Sequence, residues 1–565
     1  LISALLAYRF LNSFGIRDEI KVITAYLYGY NSFLIIWGQH YWFGAISIYI
    51  LILLIVLEAW LADVYNPSKY MLEYSMAIAF SFCYSLYLTY MSLIMVTIYA
   101  CLRFVYMCNK SGKELFYDVL KNGIRICLAT LLGILLSSVM IFPFIDNNLI
   151  ISSRVSTESM GQRIIDYLIH PYELIYYYQL FLRMISSNVI GISSSGASYY
   201  GIPMLTISVV GFIYEAEGVL YVKNQLQNIK AKIVFGIGLF LIAFLLFVPL
   251  GSCIFNAFQY PFGRYTFILM PVITIFIALG LQRICVEKKA HYILLGTVLL
   301  VEIVMLVLGA YIFDNTPLVR IFIKFVIVLN IFSYIFIIIY TKKNKKWAIG
   351  LLFICIISGC IAETYMASSS KERVTEDGLH IENRLRTENA VNWLEKTDKS
   401  YFRIDKSYND FEFLADSMIE QIHTVTDYNS VINENLAQFY KNIWPEVMTD
   451  EICKVTSSRG YILDKTNLRN DNVLALLGVK YILTDQDWGD LGSRWKKLDY
   501  EENGLAIYQN MQADSIVTGY TKVLTEDKFE KYPNPKRKEI IKSYLIMDQS
   551  ETEKNGIDTC DVDET

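Results

Sequence analysis

Residues 292–312 read YILLGTVLLVEIVMLVLGAYI, an apolar run with one charge, Glu302, near its centre. A spanning helix needs about 20 mostly apolar residues, so this stretch is long enough to cross a bilayer. Runs of the same kind recur near 21–38, 43–61, 72–89, 90–107, 122–143, 200–221, 233–250, 266–283, 321–340 and 348–365. The pattern predicts a polytopic α-helical membrane domain over residues 1–365 with about eleven complete spans. Within 72–107 only Leu88–Tyr90 offers a turn. Leu1–Phe14 is too short to span alone, and it reads as the tail of a further span whose start lies upstream.

Composition agrees. Of 565 residues 54% are hydrophobic and 18% charged. Residues 1–365 carry 25 Lys and Arg against 17 Asp and Glu, and residues 366–565 carry 25 against 37. A greasy, mildly basic half thus precedes an acidic, soluble one. No concentrated basic stripe exists to meet a phosphate backbone, which argues against nucleic acid as a partner.

Positive charge sets the expected orientation. Lys110, Lys113 and Lys121 follow one span; Lys223, Lys230 and Lys232, then Arg283, Lys288 and Lys289, then Lys342, Lys343, Lys345 and Lys346 mark later connectors. These alternate with connectors at 251–265 and 313–320 that carry one Arg each. The positive-inside rule places the basic set in the cytoplasm. The long connector 144–199, the loop at 251–265 and everything after residue 365 then face outward.

Chemistry is sought on that outward side. Connector 144–199 holds Arg154, Arg163, Asp166, His170 and Arg183. It also holds a helical stretch, roughly Gln162–Ile185, which Pro171 kinks or divides. Its apolar periodicity and the cluster Tyr172, Tyr176, Tyr177 and Tyr178 predict a helix lying at the membrane surface, with an ordinary buried helix as the alternative. The second outward loop, Phe255-Asn-Ala-Phe-Gln-Tyr-Pro-Phe-Gly-Arg-Tyr-Thr-Phe267, sets Asn256 and Tyr260 near one cation, Arg264. A guanidinium suits bidentate hold of a phosphate or carboxylate, and it equally suits snorkelling among interfacial aromatics. His40, beside Tyr41 and Trp42, reads as an interface anchor or a ligand. Glu302 reads as a helix-packing contact, since a proton-coupled carrier needs more mid-membrane charge.

Several classes are disfavoured. No Walker A loop, dinucleotide fingerprint, HExxH or GxSxG occurs. Of ten Cys most lie in or near spans, and no CxxC pair points to zinc or a disulfide framework. No cofactor is evident; a divalent metal is compatible with the outward site, but no ligand cluster argues for one.

Ala25-Tyr-Leu-Tyr-Gly-Tyr-Asn-Ser-Phe33, Tyr200-Gly-Ile-Pro-Met-Leu205, the loop with Asn256, Tyr260, Pro261, Arg264 and Tyr265, Tyr401-Phe-Arg-Ile-Asp405, Leu477-Gly-Val-Lys-Tyr-Ile482 and Gly519-Tyr520 occur in order. In this the chain resembles the YfhO family of bacterial membrane proteins over nearly its whole length. The resemblance implies a C-type glycosyltransferase fold in the bacterial plasma membrane. It implies transfer of a sugar from a polyprenyl-phosphate donor to a cell-surface glycopolymer, such as lipoteichoic acid, on the outer face. The catalytic acid of such folds is expected in an external loop upstream of Leu1, and the family also continues beyond Thr565. Under this reading Arg264 binds phosphate, with Arg154 and Arg163 as further basic candidates and Asn256, His40 and Tyr260 as substrate contacts. A transporter or flippase of lipid-linked sugars and a non-enzymatic scaffold are the alternatives.

Residues 366–548 read as an extracytoplasmic α/β domain. It comprises an amphipathic helix over Glu382–Lys396 and strands at Tyr401–Asp405, Val479–Thr484 and Gly504–Gln509. Residues 549–565 are acidic and poor in apolar side chains, predicting a disordered tail.

Overall fold

The computed structural model describes residues 1–38, 41–63, 67–145, 160–190, 201–258, 260–313, 316–343, 345–369, 381–408, 421–424, 439, 443, 472–500, 502, 504–513 and 519–562. It divides into two compact units, residues 1–142 with 158–372 and residues 143–157 with 373–565.

The first unit is helical. Among the described residues seven helices are long and apolar enough to cross a membrane: Leu86–Met107, Gly112–Leu136, Ile229–Phe247, Gly263–Cys285, Tyr292–Ile312, Pro317–Lys342 and Ala348–Ser369. Ile46–Ala62 is apolar but shorter. A helix satisfies its own backbone, which is why apolar runs of this length adopt it.

The breaks fall where polar caps outbid propagation. The expected span 21–38 is two helices, Asp18–Gly29 and Ser32–Trp37. Asn31 divides them by accepting the Leu34 N–H at 3.0 Å. The turn expected at Leu88–Tyr90 lies earlier: Pro67–Tyr84 ends at Ser85, which caps Leu86–Met107. Most of the expected span 200–221 is the helix Gly211–Gln225, with Ile202–Val210 non-helical before it. Pro203 disfavours helix at Ile202, and the β-branched, hydroxyl-rich run that follows is a poor helix former.

The stretch Ile202–Val210 is instead unwound and buried. Buried backbone needs partners, and here they come from four elements. Arg183 Nη1 donates to Ile202 O at 2.8 Å, and Met204 N–H to Thr266 Oγ1 at 3.2 Å. Ser32 N–H donates to Thr206 O at 2.9 Å. Asn330 Nδ2 donates to Val209 O at 2.9 Å.

The basic connectors gather at one end of this unit. Lys230 Nζ donates to Cys108 O, and Tyr221 OH donates to Glu287 at 2.6 Å. Glu217 meets both Arg283, at 3.2 Å, and His291, at 3.1 Å. Lys342 lies over the Tyr292 ring at 4.2 Å. At the opposite end Met160–Ile169 and Leu174–Ile185 form two helices divided at Pro171. The first exposes Ile165, Leu168 and Ile169, as a surface helix would. Two of the tyrosines fit the alternative reading, a helix packed against the unit. Tyr172 and Tyr176 stack at 3.8 Å, and their hydroxyls reach Ser252 Oγ at 2.6 Å and Leu246 O at 3.0 Å. They staple this helix to the bundle.

The second unit is a mixed fold. Strands β1 (Arg403–Lys406), β2 (Val479–Thr484), β3 (Trp495–Lys497) and β4 (Ala506–Asn510) form a sheet in the order β1-β2-β4-β3. β1 and β2 are parallel, and the other pairs antiparallel. Alternation along β2 feeds two cores. Tyr481 and Leu483 pack with Ala390, Val391 and Leu394 of the helix Ile381–Thr397. Ile482 packs with Val473, Trp488 and Tyr508. β5 (Lys522–Thr525) and β6 (Tyr544–Met547) pair in parallel as a second sheet. The tail expected to be disordered is ordered over most of its length. Asp548 caps a helix, Gln549–Asn555, and Cys560 N–H donates to Val523 O at 2.9 Å. These local caps and edge bonds hold an acidic segment that composition alone marks as disordered.

Candidate functional site

Three helices of the first unit enclose an apolar groove of about 410 Å³. Leu86–Met107 contributes Ile94, Ile98 and Leu102; Ile229–Phe247 contributes Phe235, Gly238 and Ile242; Gly263–Cys285 contributes Ile268 and Ile275. Almost every lining atom is carbon. Leu239 and Tyr106 on its rim are 38% and 48% exposed, so the groove opens on the surface of the unit. Ile94 to Tyr106 spans about 18 Å at 1.5 Å per residue. The volume lies within the range of small-molecule sites.

One end of the groove is closed by Arg103, on the side of the basic connectors. Its Nε meets Glu58 Oε1 at 2.8 Å and its Nη2 meets Oε2 at 3.0 Å. Tyr99 OH adds a bond to Oε1 at 2.6 Å. Glu58 is buried. This bidentate pair cancels both charges in place.

The other end is lined by Gly251, Ile254 and Phe255, and the chain runs from there into the Arg264 loop. Ala257 and Phe258 both take positive φ, 49° and 58°, so the reversal is strained. The loop is held firmly. Asn256 Oδ1 accepts from Tyr87 OH at 2.8 Å while its Nδ2 donates to Tyr260 O at 2.9 Å. Tyr90 OH donates to Ile254 O at 2.9 Å. Buried Tyr265 donates to Leu245 O at 3.2 Å. Arg264 is partly buried. Its guanidinium lies over Phe262 at 4.4 Å, Phe43 at 5.4 Å and Tyr87 at 6.0 Å. Ring faces attract a cation. Tyr260 is 49% exposed beside them.

The structure thus brings Asn256, Tyr260 and Arg264 into one loop. Arg163 lies on Met160–Ile169, which packs against Pro249–Phe255. Burial pushes the Cys253 thiol up to about 11, and the Arg163 charge pulls it the other way. His40 and Arg154 lie outside the described residues. Among the described residues no group of three or more His, Cys, Asp or Glu could hold a metal.

The family model described as "Bacterial membrane protein YfhO" matches residues 1–553. The chain belongs to the YfhO family. No curated protein and no solved structure matches it. For a YfhO-family chain, the groove and the adjoining Arg264 loop are candidate features for binding. Sequence reasoning missed three polar pairings in this unit: Glu58 with Arg103, Glu217 with Arg283 and His291, and Glu363 with Ser186 and Ser187. Glu363 accepts from Ser186 Oγ at 2.7 Å and Ser187 N–H at 3.0 Å. Charged residues of opposite sign inside expected spans, Glu58 in 43–61 and Arg103 in 90–107, were the available signal for the first.

Proposed function

We propose that this chain is a membrane glycosyltransferase that takes a sugar from a polyprenyl-phosphate donor and passes it to a cell-surface glycopolymer such as lipoteichoic acid. The observation that carries this reading is an apolar groove whose end leads into an arginine–aromatic loop. A lipid phosphate asks for that order of surfaces: carbon along the tail, a cation at the phosphate, a polar and aromatic rim at the sugar. In this reading the Arg264 end faces outward from the bacterial plasma membrane, and the C-terminal unit lies outside the cell with the acceptor.

The division of labour follows from the solvent. A tail leaving the bilayer for the groove gains no hydrophobic free energy, because lipid is as apolar as leucine. Shape and dispersion remain, and they set register. Affinity then rests on the head, where a charge-assisted hydrogen bond contributes about 1.5–3 kcal/mol. We assign that bond to Arg264, with Arg163 as a second basic group and Asn256 and Tyr260 as sugar contacts. His40 and Arg154 stay as candidates from the sequence. No residue of this chain is assigned as the catalytic acid or base.

The groove's length favours one second reading, a flippase that moves lipid-linked sugar between the two ends. A polyprenyl-phosphate sugar with a photoreactive tail and a labelled sugar separates them. The proposal expects crosslinks to peptides bearing Ile98, Phe235 and Ile275, and label in the glycopolymer only when acceptor is supplied. Movement of label across vesicles without acceptor, and none into it, overturns the transferase.

A further inference from the structure

The loop between β2 and β3 reads Asp485-Gln-Asp-Trp-Gly-Asp-Leu-Gly-Ser-Arg494. Trp488 and Leu491 turn into the core with Tyr508. Tyr508 OH accepts the Trp488 N–H at 3.0 Å and donates to Asp487 Oδ1 at 3.1 Å. Asp487 Oδ1 also accepts the Gly489 N–H at 2.9 Å, and Asp490 Oδ1 accepts the Gly492 N–H at 2.8 Å. Gly489 and Gly492 take φ of 65° and 83°, the left-handed region that favours glycine. The loop is thus fixed by its own side chains, and it leaves Asp490 and Ser493 exposed.

β3 is the edge strand of the order β1-β2-β4-β3. Beside it the loop, Lys496 and Met511 line a cleft of about 580 Å³. That volume lies within the range of small-molecule sites. The lining offers three kinds of surface. Asp490 keeps its Oδ2 as an acceptor without a partner among the described residues. Lys496 Nζ and Ser493 Oγ likewise have no partner among the described residues. Met511 is 55% exposed and presents carbon. Lys497 differs, because it meets Asp487 at 3.2 Å.

A sugar or polyol hydroxyl both donates and accepts, and the carbon chain that bears it packs on apolar surface. An acceptor, two donors and a carbon patch in one cleft match those needs together. A lysine on an edge strand also guards against sheet extension. That role accounts for Lys496 alone, and leaves the cleft, Ser493 and the exposed Met511 unexplained.

We propose that this cleft is a carbohydrate-binding site that holds a sugar or polyol unit of the acceptor glycopolymer. Asp490 and Lys496 hydrogen-bond its hydroxyls, and Met511 packs against its carbon face. The choice of polymer rests on the sugar-transfer reading; the chemistry of the cleft does not.

The test is equilibrium binding to the full chain in detergent micelles with no donor present, so that binding is read apart from transfer. The probes are delipidated lipoteichoic acid, a polyol phosphate chain, and a neutral glucose oligosaccharide. Lys496→Ala should weaken binding at least about tenfold, the loss of one charge-assisted bond, with an unchanged unfolding midpoint. Asp490→Asn keeps an acceptor for the Gly492 N–H and should weaken binding as well. Lys531→Ala removes an exposed cation outside the cleft and should leave binding unchanged. Binding of the oligosaccharide, with or without the polymer, assigns a sugar unit, and binding of the polymer alone assigns the polyol phosphate. Binding of neither probe overturns the proposal, and so does equal binding by the unaltered chain and Lys496→Ala. Equal losses in Lys496→Ala and Lys531→Ala also overturn it, because the attraction is then diffuse charge.

Discussion

The two ends of the groove each present an arginine, and they use it differently. Arg103 gives two hydrogen bonds to the Glu58 carboxylate, at 2.8 and 3.0 Å. Arg264 lies against the rings of Phe262, Phe43 and Tyr87. A bidentate carboxylate cancels a guanidinium's charge, and ring faces attract a cation through their quadrupole. The same residue type is a structural clasp at one end and, in the proposed reading, a phosphate-binding group at the other. The partners decide which.

The largest expected effect breaks the clasp. Glu58→Leu leaves Arg103 as an uncompensated, mostly buried charge and lowers stability by about 3–5 kcal/mol in denaturant unfolding of the purified chain. The double variant with Arg103→Met recovers most of that loss, because an apolar pair replaces an ion pair. If the single and double variants unfold alike, the clasp is not what holds that end.

A smaller effect sharpens the role of the space between the two arginines. A Cβ on Gly238 meets only Leu102 Cδ1, at 3.8 Å, so Gly238→Trp grows into the groove without a backbone clash. The account expects about a tenfold rise in KM for a long-chain donor, roughly 1.4 kcal/mol, and little change for a short-chain one. Equal losses for both donors would place the tail elsewhere.

The smallest effect lies in the C-terminal unit, where a second ion pair can be compared with the Glu58 clasp. Burial pushes the Asp398 carboxyl up, but bonds from Lys480 at 2.5 Å, Ser400 N–H at 2.9 Å and Tyr481 OH at 2.7 Å outweigh it and hold it well below the usual range. A depressed folded pKa contributes stability above the unfolded value of about 3.9 and loses it as pH falls below that. Acid unfolding of this unit followed by circular dichroism should therefore show a stability loss below about pH 4 that Asp398→Asn removes. An unchanged acid profile in the variant would assign the loss to other carboxylates.

Much of the membrane unit is legible in sequence because run length and backbone satisfaction decide it. Tyr292–Ile312 and Ala348–Ser369 lie where hydropathy puts them. What escapes is set by single caps and by distant partners. Asn31 and Ser85 each end an apolar run that hydropathy reads as continuous. The unwinding before Gly211 depends on acceptors and donors from Arg183, Ser32, Thr266 and Asn330, far away in the chain. The Arg264 loop announces itself by aromatic density around one cation. Its coupling to Tyr87 through Asn256 is a pairing across 169 positions that one sequence does not reveal.

The most direct test compares Arg264→Ala with the unaltered full chain in proteoliposomes, following labelled sugar from a polyprenyl-phosphate donor into acceptor. The account predicts an unchanged unfolding midpoint and a fall in transfer between about tenfold and about 150-fold, the loss of one charge-assisted bond. Undiminished transfer by a folded Arg264→Ala chain would contradict it.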